Sequence, residues 1–171
     1  MREIKKLKNK KAKLSYYGMK KALEKLGINE EEYDWVRHHI HHICVCPSEF
    51  LKHFVIKCIV CKILYDNNQR FLTEWSINGR YVDVFCIDNF VAYEIETTYN
   101  KNFSKNLAER MRKYIEEHRV VMGINYHHHD EVKEFTEKNI FVIYAKEIPD
   151  NLNKMYEKLK KIIGGTLKNV K

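Results

Sequence analysis

Residues 71–98 read FLTEWSINGRYVDVFCIDNFVAYEIETT, and the turn residues inside this stretch set a strand register. Asn78-Gly79 is a strong hairpin signal, because a type I′ turn needs positive φ at both central residues. Asp88-Asn89 is a weaker form of it, since both residue types tolerate the left-handed region. With two-residue loops at both places, Ile77 pairs with Arg80 and hence Glu74 with Asp83; Ile87 pairs with Phe90 and hence Asp83 with Glu94. Opposed residues share a face and successive residues alternate. Glu74, Asp83 and Glu94 therefore form one row, with Glu96 a step along on the same side. Trp75, Val82 and Ile95, then Thr73, Val84 and Tyr93, make rows on the opposite face.

Like charges opposed across strands cost roughly 0.2 to 1 kcal/mol per pair, and more where Leu72, Phe85, Ile87, Phe90 and Ala92 make the surroundings apolar. A divalent cation with oxygen ligands reverses that penalty. The row thus predicts a metal site. The competing reading is an acidic sheet face neutralised by Lys and Arg, for which Arg80 and Lys101 are the candidates close in sequence.

Outward from the meander, the apolar spacing predicts helices. Residues 2–26 are helix-prone and highly charged, with Gly27 as a stop, and a short acidic helix is expected from Asn29 to His38. Ser48 suits the N-cap of a helix from Glu49 to Asp66 that is apolar on most sides and hence deeply packed. Ser104 is read as the cap of an amphipathic helix to His118. Val120–Tyr126 and Ile140–Ala145 read as strands, Asp130–Lys138 as a short helix, and a last helix runs from Pro149 to Ile163, ended by Gly164-Gly165. Strands alternating with helices after a meander predict an α/β fold: a mixed central sheet, the three-stranded antiparallel meander plus two further strands, with helices on both faces. Residues 1–47 form a basic helical N-terminal extension, and 48–171 the core with its C-terminal helix.

The chain of 171 residues carries a net charge of +8. Residues 1–25 hold ten Lys or Arg against Glu3 and Glu24, which accounts for all of it. Such a block suits a polyanion-binding arm, with a solvated face as the bland alternative. No run of eighteen apolar residues offers a transmembrane span, and the charged start does not resemble a secretory signal. The expectation is an intracellular protein with no membrane partner.

The order of elements, with D-x10-E-x-E across the second and third strands (Asp83, Glu94, Glu96), resembles the PD-(D/E)xK nuclease superfamily, the restriction-endonuclease-like fold. It is closest to the branch common in archaea and their viruses, where the third strand reads as VAYEIETT does here and a helix follows with Asn near its start, Asn106. The resemblance spans about residues 49–145. It implies Mg²⁺- or Mn²⁺-dependent hydrolysis of DNA phosphodiesters, in the host cytoplasm if the protein is viral. Asp83 and Glu94 would hold the metal, Glu74 would extend the ligand row, and Glu96 would occupy the usual lysine position as a catalytic residue. Val82 stands where the family name has Pro. Lys101, Lys105 and Arg80 are the expected DNA contacts, with Arg110 and Arg112 behind them. Cutting both strands implies a homodimer.

Glu49, His53 and Lys57 share a helical face at i, i+4 spacing; Glu49 either joins the site or complements the helix dipole. Cys44, Cys46, Cys58 and Cys61, beside His38, His39, His41 and His42, raise zinc or a disulfide, against small hydrophobes in a packed helix. His127–His129 read as a polar loop or a contact to nucleic acid or metal. The alternatives to a nuclease are a non-catalytic DNA-binding protein that keeps the fold, favoured by Glu96, and an α/β interaction module whose acids are salt-bridged.

Overall fold

A computed structural model describes residues 43–44, 50–77, 80–96, 102–118 and 136–168, with Lys21, Glu24, Lys25 and Gly27. The expected helices over 2–26 and 29–38, Ser48, Glu49, Lys101, the strand over 120–126 and His127–His129 lie outside these residues or almost wholly so.

The described elements are α1 (Leu51–Asp66), β1 (Phe71–Ile77), β2 (Arg80–Cys86), β3 (Val91–Glu96), α2 (Phe103–His118), β4 (Ile140–Tyr144) and α3 (Leu152–Lys168). The strands form one mixed sheet in the order β1-β2-β3-β4. The meander is antiparallel and β4 runs parallel to β3, with Glu94 beside Val142 and Glu96 beside Tyr144. Parallel pairing needs a long crossover. Here that crossover contains α2.

The register is the one that turn chemistry predicts. Ile77 lies opposite Arg80, and Val84 opposite Tyr93. The second loop is longer than expected, because the ladder closes at Cys86–Val91 and residues 87–90 make a four-residue turn. Phe90 takes the left-handed position there, at φ 53°. Its ring is buried edge-on against Phe85, with centroids 6.1 Å apart. Arg70 braces the turn: its backbone N–H and its Nε donate to the Asp88 carboxylate, the latter at 2.7 Å.

Two buried clusters hold the sheet. One joins α1 and α3 to Phe71, Val84, Tyr93, Ile95 and Ile143; the other joins Leu107, Ala108 and Met111 of α2 to Leu72, Phe85, Ala92 and Ile140. Trp75 and Val82 correct the expected alternation. They belong to the second cluster, with Leu72 and Phe85, not to the one that holds Val84, Tyr93 and Ile95. The cause is local: Glu74 sits at φ 48°, and one left-handed residue in a strand switches the faces of the residues after it.

Three helix ends also differ from expectation. Phe50, with no side-chain cap, precedes α1, which begins at Leu51. Ser104 lies inside the first turn of α2, one residue after Phe103. Gly164 and Gly165 do not stop α3, which continues to Lys168. A helical glycine costs about 1 kcal/mol, and the last turn offsets this with tertiary contacts: Thr166 Oγ1 lies 2.7 Å from the Tyr93 hydroxyl and Leu167 packs on the first cluster.

Candidate acidic site

Glu74, Asp83 and Glu94 are the buried acids of the sheet, at 4%, 9% and 4% exposure. Glu74 lies between Thr73 and Trp75, and Asp83 between their partners Val84 and Val82, so these two acids are neighbours across the first hairpin; Glu94 follows Tyr93, the last β3 residue paired with β2, and lies beside Val142 of β4. Glu96, half-buried, ends β3.

The β2–β3 ladder stops at Val84–Tyr93. Beyond it, the Asp83 side chain replaces a backbone acceptor: Oδ2 takes the Ile95 N–H at 2.7 Å. The other oxygen, Oδ1, lies 3.2 Å from Nε2 of His53 on α1. One turn further along α1, Lys57 is fully buried and its Nζ donates to Glu74 Oε1 at 2.7 Å. The ammonium also stands 5.7 Å from the centre of the Phe54 ring, within range of cation–π attraction.

Glu74 and Asp83 therefore face basic side chains from α1, Lys57 and His53. Charged residues inside a helix that is buried on most sides must find partners, and that is the signal by which His53 and Lys57 could have been found. Their i, i+4 spacing puts them on one face. The sequence places them on one helical face with Glu49; which acids they would meet it does not give.

The Glu94 side chain is buried, and its Oε1 accepts no hydrogen bond, although the residue has other interactions. Mg²⁺ takes one or two protein carboxylates and keeps several waters. Asp83 and Glu94 are acids of the type such an ion takes, on the neighbouring strands β2 and β3. Among the described residues no three His, Cys, Asp or Glu side chains form a ready-made metal cluster.

Of the other candidates, Lys105 and Asn106 are exposed on the first turns of α2, and Arg80 is described as the residue opposite Ile77. Cys44, Cys58, Cys61 and Cys86 are buried thiols, as small packed hydrophobes would be, and the disulfide raised as an alternative is not found among them. Burial pushes the Cys86 thiol up to about 11, with Asp88 adding to the rise. It is a poor nucleophile. No described helix is long and apolar enough to cross a membrane.

Comparison with protein-family models, curated proteins and solved structures finds no match for this chain.

Proposed function

We propose that the chain is a Mg²⁺- or Mn²⁺-dependent deoxyribonuclease of the PD-(D/E)xK type, weakly sequence-specific or structure-specific. The supporting observation is three buried acids on three neighbouring strands, Glu74, Asp83 and Glu94, with Asp83 at the place where the β2–β3 ladder opens. Burying carboxylates is costly, and a fold retains such a row where it has work to do. In this reading helices cover both faces of the sheet, and the basic N-terminal extension clamps DNA through phosphate contacts, which position the duplex without reading its sequence. Two copies would cut the two strands.

Asp83 and Glu94 would hold the metal. A bound divalent ion lowers the pKa of its water and neutralises the non-bridging phosphate oxygens. The rest falls to this chain. The Ile95 N–H and His53 fix the Asp83 carboxylate, as partners of a ligand do in metal sites. Glu96, at the rim of the row, would take the proton of the attacking water. Lys105, exposed on α2, would meet a phosphate.

A second reading is a non-catalytic DNA-binding protein with the same fold. It is favoured by the ion pair of Glu74 with Lys57 and the contact of Asp83 with His53, which engage part of the row without metal, and by Glu96 at the lysine position. Incubating the protein with linear and supercoiled DNA under Mg²⁺, Mn²⁺ or EDTA, beside Asp83→Asn and Glu94→Ala, separates the two. Metal-dependent cleavage lost in both variants is the expected result. Cleavage that persists in both refutes the site; binding without cleavage in any metal selects the second reading.

A further inference from the structure

We infer that the substrate carries unpaired bases, which stack on Tyr81 and Phe50 where the space between α1 and β2 opens to solvent. This rests on the DNA reading above and names the form of DNA it takes. Phe50, which precedes α1, His53 and Lys57 follow one another at i, i+3 and i+7, the spacing of one helical face. Exposure rises along that face. The Lys57 side chain, against Glu74, is sealed at 0%; the His53 side chain, against Asp83, is 19% exposed; Phe50 is 41% exposed. The strand shows the same gradient: Asp83 is buried and Tyr81, two residues before it, is 40% exposed. Val82 packs in the cluster that holds α2, so Tyr81 beside it is turned to the other side of the sheet, the side on which Asp83 meets His53.

Both aromatic residues stand a short step along the backbone from the His53–Asp83 contact. Tyr81 is two residues along β2, about 7 Å at the rise of a strand; Phe50 is three residues back from His53, about 4.5 Å of helix rise. An exposed ring offers a nucleobase a stacking surface whatever the sequence. Inside a duplex both faces of a base are covered by its neighbours, so a ring on the protein surface reaches only bases that are unpaired, in a single strand, a flap or a frayed end. Charge favours a phosphate-linked partner over an apolar peptide: the chain carries +8, and Arg80 precedes Tyr81.

Fluorescence anisotropy of fluorescein-labelled oligonucleotides in EDTA tests this without cleavage, one mixed sequence being offered as single strand, splayed fork and blunt duplex at equal salt. Phosphate contacts alone favour the duplex, which has the higher charge density. The wild type should instead bind single strand and fork about fivefold or more tighter than blunt duplex. Tyr81→Ala and Phe50→Ala should each lose about fivefold or more on single strand with duplex binding unchanged, and Tyr81→Phe, which keeps the ring, should match the wild type. Circular dichroism checks folding; where an alanine variant does not fold, leucine at the same position, apolar but without a π-face, takes its place. Equal or tighter binding of blunt duplex by the wild type, single-strand binding unchanged in either variant, or an equal loss on all three substrates overturns the inference and leaves the nuclease reading standing. A wild type that binds none of them also overturns it, and the cleavage assay above judges the nuclease reading separately.

Discussion

The ammonium of Lys57, in the middle of α1, lies 2.7 Å from the Glu74 carboxylate on β1, and both side chains are buried. Breaking such a pair from one side leaves a buried charge without compensation, which costs about 3–5 kcal/mol. Lys57→Met should therefore lower the free energy of unfolding in urea by that amount. Replacing both partners with apolar groups is often near neutral, so Lys57→Met/Glu74→Met should recover most of the loss. A single variant within 1 kcal/mol or so of wild type would show that the pair is not what holds these residues.

His53 stands 3.2 Å from Asp83 and does not follow from the acidic motif. If it orients a metal-binding carboxylate, His53→Ala should weaken Mn²⁺ affinity and DNA cleavage together, by about 10–100-fold. His53→Gln, which can still donate a hydrogen bond, should retain more of both. Equal activity in wild type and His53→Ala would remove His53 from the site.

Asn68 follows α1 in the left-handed region, at φ 55°, and its N–H donates to the Tyr65 carbonyl at 2.9 Å. Left-handed backbone costs an ordinary residue about 1–2 kcal/mol, while glycine adopts it freely. In thermal melts Asn68→Val should be destabilised by about that amount and Asn68→Gly should be neutral or slightly stabilised. Tolerance of Val would mean that the helix ends differently.

Cys86 gives a pH signature. Its thiol is raised from 9.0 to about 11, first by burial and then by Asp88. The unfolded thiol ionises before the folded one, so the contribution is fully present below pH 9 and is lost as pH rises through about 11. Two pKa units correspond to roughly 3 kcal/mol. The stability difference between wild type and Cys86→Ala should shrink across that window, and iodoacetamide at pH 8 should label Cys86 only after unfolding. Rapid labelling of the native protein would contradict the burial.

Much of the sheet was legible because its signals are local. Asn78-Gly79 and the polar turn residues near Asp88 set the register, and the apolar run read as a strand over Ile140–Ala145 is β4, Ile140–Tyr144. The misreadings share a cause. Trp75 and Val82 change cluster because Glu74 accepts a conformation that its residue type disfavours. Gly164-Gly165 stays helical because Thr166 and Leu167 find contacts on the body of the protein.

By itself, the sequence determined the hairpin register of the strands that carry Glu74, Asp83 and Glu94, since turn chemistry acts within a few positions. Only the tertiary structure decided what those acids face. Glu74 and Lys57 are 17 residues apart, and no local rule links a helical lysine to one particular strand carboxylate. Packing α1 against the sheet brings them within hydrogen-bond distance. Once both are out of water, each makes the other necessary.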